Sequence, residues 1–133
     1  MKNSKIGKID VSELNVPPEK HEYETAKYFA NRGYNVTFIK PSDIKGARTP
    51  DFMMDGMGWE TKSPIRYSNS TFEFNFKKAV KQSLYIIFDL RRLSKSDEKL
   101  YIVNIKKRAI KSKAKIIVII TKDGQKIDIK GKF

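Results

Sequence analysis

Residues 50–62 read PDFMMDGMGWETK, and this stretch decides the fold. Asp55-Gly56 is a favoured two-residue hairpin turn, because both residues tolerate the positive φ such a turn demands. Short strands on either side then pair in a fixed register: Met54 faces Met57, Met53 faces Gly58 and Phe52 faces Trp59. One step further out, Asp51 is expected opposite Glu60 on one face of the sheet. Side chains alternate along a strand, so Lys62 shares the face of Glu60. Two opposed carboxylates repel each other unless a cation lies between them, and a hard, oxygen-liganded ion such as Mg²⁺ relieves the repulsion. A lysine on the same patch suits a group that positions a water or neutralises charge developing on a phosphate. The plainer alternative is a wet sheet face carrying a salt bridge, with Gly58 inviting a bulge that breaks the opposition.

Upstream of the hairpin, YNVTFIK (34–40) has the β-branched and aromatic content of a strand, and 41–49 reads as a loop. Before it, EKHEYETAKYFANRG (19–33) follows Pro17-Pro18 and places Glu22, Ala26, Phe29 and Ala30 on one helix face, with Gly33 as the stop. Downstream, Ser68, Asn69, Ser70 and Thr71 read as a polar loop open to substrate, and a helix is expected from Phe72 to Ser83. LYIIFDL (84–90) and the run 115–121 are continuous apolar strands, buried on both faces. A helix over 97–111 separates them, and Asp123-Gly124 turns the chain into a last strand over 126–129. The expected fold is therefore α/β: a central mixed β-sheet flanked by helices, in one domain over 17–133 after a polar, Lys-rich arm at 1–16. Trp59 opposite Phe52 reads as a cross-strand core pair in preference to a base-stacking platform.

Composition narrows the partners. Twenty-eight Lys and Arg against fifteen Asp and Glu give the 133 residues a formal charge of +13. Self-repulsion of that size points to a polyanionic partner, nucleic acid first, an anionic membrane second and an acidic protein third. Arg66, Arg91, Arg92, Lys106, Lys107 and Arg108 are candidate phosphate contacts, although charge runs also occur as solvated faces. The absence of cysteine excludes disulfides and thiolate zinc sites, and the single histidine, His21, argues against a His-rich site or a serine-protease-type triad. The N-terminus shows no apolar signal-peptide region, and the longest apolar run is too short to span a bilayer, so no membrane insertion is expected.

Pro50-Asp51 followed after eight residues by Glu60-Thr61-Lys62 resembles the PD-(D/E)xK signature of restriction-endonuclease-like nucleases, and the order of elements resembles their αβββαβ core. The segment GARTPDFMMDGMGWETKSP, with HEYETAKYFANRG and KQSLYIIFDL, is similar to a narrower group. That group is the C-terminal tRNA-nuclease toxin domain of contact-dependent growth inhibition proteins, and the similarity covers roughly 17–130. The resemblance implies a metal-dependent phosphodiesterase acting on RNA, with tRNA favoured. It implies an acid on the first helix, Asp51, Glu60 and Lys62 as catalytic residues, with the three acids holding Mg²⁺ (Mn²⁺ and Zn²⁺ being compatible). It also implies an immunity-protein partner and action in the cytoplasm of a target bacterium. Glu22 and Glu24 compete for the helical acid. Glu22 lies on the core-facing stripe, whereas Glu24 points with Lys27 and Asn31 towards solvent, so Glu22 is preferred. A plain stabilising role at the helix start is the alternative for Glu22. His21 and Gln82 are auxiliary candidates, each with an ordinary reading as a surface histidine or a helix cap. A DNA endonuclease of the resolvase or restriction type, and a non-catalytic basic nucleic-acid-binding module, are the rival readings.

Overall fold

The computed structural model describes residues 5–42, 44 and 49–133. Among these described residues it is a mixed α/β fold of seven strands and three helices. The chain divides into two compact units, Met1–Trp59 and Glu60–Phe133.

The first unit begins with β1 (Ile9–Asp10), within the stretch expected as an arm. Helix α1 (Lys20–Ala30), β2 (Val36–Phe38), β3 (Phe52–Met54) and the opening residues of β4 (Met57–Lys62) follow. β1 runs parallel to β2, and β2, β3 and β4 are successively antiparallel. Two prolines and an extended Glu19 precede α1, and the Glu19 side chain makes no capping hydrogen bond to its first turn. It ends where Gly33 takes φ 94° and donates its N–H to the carbonyl of Ala30 at 3.0 Å. Only glycine adopts that backbone without strain. The expected stripe is the buried one: Ala26, Phe29 and Ala30 are enclosed together with Thr25. Beneath it, Phe38 and Phe52 meet edge to face at 5.5 Å between centroids.

The hairpin forms in the expected register, with Phe52 opposite Trp59, Met53 opposite Gly58 and Met54 opposite Met57. Asp55 (φ 56°) and Gly56 (φ 77°) supply the two positive φ values of the tight turn. Trp59 is fully buried, and its indole N–H donates to the carbonyl of Met54 at 3.0 Å, which makes it a core residue. The loop expected at 41–49 falls in part on 43 and 45–48, outside the described residues.

The second unit continues from β4 through α2 (Asn69–Gln82), β5 (Tyr85–Asp89), α3 (Lys95–Ala109), β6 (Ile116–Ile120) and β7 (Lys126–Lys130). β5 and β6 pair in parallel, and β7 returns antiparallel to β6. The apolar runs are buried on both faces as expected, since Ile86, Ile87, Phe88, Ile117, Val118 and Ile119 are all inaccessible. Phe72 and Phe76 of α2 and Tyr101 and Ile105 of α3 close over Ile86, Phe88, Ile117 and Ile119. Phe76 stacks on Phe88 at 5.9 Å. Each such enclosed ring contributes about 1.5–3 kcal/mol of transfer free energy.

One expectation is corrected in this unit. Ser68–Thr71 is a helix start and not an open loop: the Ser68 hydroxyl accepts from the Thr71 N–H at 3.1 Å, and α2 begins at Asn69. Serine and asparagine favour both loops and helix starts, and here the cap prevails. Ser94 caps α3 in the same way through the Asp97 N–H at 3.2 Å, with acids in its first turn and bases in its last.

Candidate active site

In the first unit, a cavity of about 480 Å³ is lined by Leu14 to Glu19, Glu22, Phe38 to Pro41 and Thr49 to Asp51. Two of the sequence-predicted site residues, Glu22 and Asp51, therefore open onto the same space. Helix α1 delivers Glu22, because its packed stripe directs that position inwards, while Glu24 is exposed. The hairpin delivers Asp51, whose backbone N–H donates to the carbonyl of Trp59 at 2.8 Å. Trp59 is already the register partner of Phe52, so this bond sets a second residue against it, and the paired register ends there without the expected Asp51–Glu60 pair. Lys40 adds a cationic side chain to the same lining. Carboxylate oxygens on a partly enclosed apolar wall form a donor set that suits a hard divalent ion.

In the second unit, the next residues of β4 carry Glu60 and Lys62. Glu60 is only 6% exposed, and the Lys62 ammonium lies 3.3 Å from its carboxylate. A buried carboxylate is costly unless it is paired and hydrogen-bonded, so the lysine two residues along the strand partly offsets the burial. The pairing also restrains the Lys62 chain to one side of the strand.

The remaining candidates separate by what holds them. Arg91 is committed to Asp89: its Nε and a terminal nitrogen grip the two carboxylate oxygens at 2.9 and 2.7 Å. Arg108 pairs with Glu73 and lies 5.2 Å over the Phe76 ring. Arg92 is exposed and donates to the carbonyl of Ser63. Arg66, Lys106 and Lys107 are exposed, the two lysines in the last turn of α3. Gln82 is half-buried at the end of α2. His21 lies in the first turn of α1 with its Nε2 3.5 Å from a carboxylate oxygen of Glu19. Sequence reasoning missed Glu19 altogether. Glu19 also lines the cavity. Among the described residues no helix is long and apolar enough to cross a membrane.

Fold and site together define a small, strongly basic α/β domain with an acid-lined cavity beside a hairpin. The chain belongs to the contact-dependent growth inhibition CdiA C-terminal domain family, whose model matches residues 48–126. It is thus a toxin domain of that system. A solved "CdiA-CT/CdiI toxin and immunity complex" from Burkholderia pseudomallei is similar at 21% identity, over 93% of this chain and 99% of that chain, with a TM-score of 0.66. At that identity the likeness speaks for the fold. No curated protein matches the chain.

Proposed function

We propose that this toxin domain is a metal-dependent endonuclease of the PD-(D/E)xK type that cleaves RNA, with tRNA as its substrate. The observation that carries the reading is the placement of Glu22 and Asp51 on one cavity, by a helix and a hairpin that the sequence pattern singled out separately. By the motif's resemblance, Glu22, Asp51 and Glu60 are the acids whose carboxylate oxygens would take a divalent ion, Mg²⁺ being the ion such oxygens suit. When bound, that ion polarises the scissile phosphate and lowers the pKa of an attacking water. Lys62, restrained by Glu60, holds the water or stabilises charge on the phosphate oxygens. Arg66, Arg92, Lys106 and Lys107 provide sequence-independent contacts to the backbone. As a toxin, the domain acts in the cytoplasm of the cell it enters and is held inactive in its own cell by a cognate immunity protein. The toxin–immunity complex of the similar solved structure supports that partner.

Purified domain incubated with total tRNA and with plasmid DNA, with Mg²⁺ or with chelator, tests this directly on a gel. Fragments from tRNA alone, lost on chelation, are expected. Plasmid nicking with intact tRNA would instead assign a DNA endonuclease, and no cleavage of either would leave a binding module.

The helix phase makes a paired prediction for the same assay. Glu22→Gln keeps shape but removes the charge that attracts a cation, so cleavage should collapse, whereas exposed Glu24→Gln should cleave normally. The reverse pattern would sink the assignment of Glu22.

Binding is separable from chemistry. A charge of +13 predicts that affinity for tRNA falls steeply between 50 and 200 mM salt, by about a thousandfold if six phosphates are neutralised. Filter binding of a cleavage-dead variant measures it, and a flat salt dependence would assign the basic surface to another partner.

A further inference from the structure

Glu19, His21 and Glu22 bring one ligand atom each to within 4.8 Å of one another at the start of α1. We propose that these three side chains form a site for a borderline divalent ion of the Zn²⁺ class, distinct in its donor set from the all-carboxylate set assigned above.

Three features carry the inference. The first is donor chemistry. A neutral imidazole nitrogen with two carboxylates is a set that Zn²⁺ takes readily, whereas Mg²⁺ prefers oxygen throughout and keeps most of its water. The second is reach. The His21 and Glu19 side chains already approach to 3.5 Å, so little rearrangement separates this contact from shared ligation. The third is position. Glu19 and Glu22 both line the cavity that Asp51 also borders, so the ion would stand at the wall of an existing space. Three protein ligands leave at least one coordination position for water or a phosphate oxygen, the arrangement found in catalytic zinc sites and absent from closed structural ones.

Opposing charges are modest. The positive end of the α1 macrodipole and Lys40 on the same lining both disfavour a cation, and the two carboxylates outweigh them. Exposure of Glu19 (70%) means its side chain must be ordered on binding, so the site is weaker than a buried one. Glu22 is shared with the nuclease set, and the delivery of a phosphate oxygen to this ion rests on that reading. Ion binding itself does not.

Titration of the full chain with Co²⁺, followed by its visible absorption and by competition with Zn²⁺, tests the proposal without any cleavage assay. One ion per chain is expected, displaced by Zn²⁺ and not by a similar concentration of Mg²⁺. His21→Ala and Glu19→Gln should each weaken binding by roughly tenfold or more, because each removes a ligand. Asp51→Ala should retain Co²⁺ binding even if it abolishes cleavage, which keeps the two readings distinguishable. Unaltered affinity in His21→Ala would overturn the proposal and leave His21 as a simple ion-pair partner of Glu19. Displacement by Mg²⁺ with equal ease would overturn it as well.

Discussion

Asp51→Ala should reduce metal-dependent tRNA cleavage by at least about a hundredfold, the scale expected when a group that holds a metal in place is removed. The expectation follows from which part of Asp51 does what. Its backbone N–H makes the cross-strand bond to Trp59, and alanine preserves that bond. Asp51 lines the cavity together with Glu22, and alanine deletes the carboxylate it could offer there. Cleavage should disappear while circular dichroism still shows a folded protein, because the backbone bond is kept. Affinity for tRNA, measured in the presence of chelator, should persist because the basic surface is untouched. A variant that cleaves at near the wild-type rate would remove Asp51 from the site, whereas one that fails to fold would show that the carboxylate is structural.

Arg91→Ala should have the largest effect on stability among the basic residues. Asp89 closes β5 with a carboxylate that is 3% exposed, and Arg91 binds both its oxygens. Removing the guanidinium takes away the charged partner of a buried carboxylate, which keeps the backbone N–H of residue 91 at 3.2 Å. The penalty should be about 3 kcal/mol, the low end for a broken buried pair, because the Arg91 side chain is itself 30% exposed and water can take part of its place. Urea unfolding measures this, and Asp89→Asn combined with Arg91→Ala should recover much of the loss, since the buried charge is then gone. Arg92→Ala, one residue away and exposed, should leave stability nearly unchanged and lower tRNA affinity. A stable Arg91→Ala protein with weakened tRNA binding would return Arg91 to the phosphate contacts.

The two arginines illustrate what the sequence can and cannot convey. In RRL they look alike, and only the chain's turn after β5 sends one guanidinium back to Asp89 and the other to Ser63. Register in the hairpin was legible because Asp55-Gly56 permits one tight geometry and the alternation of side chains does the rest. The buried strands were legible because runs of four or five apolar residues have no exposed solution. The phase of α1 was legible from the spacing of Ala26, Phe29 and Ala30. β1 was not, because its parallel pairing with β2 joins residues 27 apart in the chain and two residues carry no periodicity of their own. The start of α2 was missed because Ser68, Asn69 and Ser70 have the same composition in a loop as in a cap. Of the candidate site, the acids and the lysine were visible as a motif. The approach of Glu19 to His21 was not, since it depends on side-chain reach at a helix entrance and leaves no spacing signal.

Trp59 gives the protein a built-in optical reporter. It is the sole tryptophan, fully enclosed, with its indole N–H bound to the Met54 carbonyl, and it is followed directly by Glu60. Its emission in the folded protein should be blue-shifted and should move to the red on unfolding, with no other indole to confuse the signal. Charge gained or lost at the neighbouring carboxylate shifts the local field on the ring. Fluorescence then offers a label-free test of the ion proposed at Glu60: a change in emission on adding Mg²⁺ is the expected result.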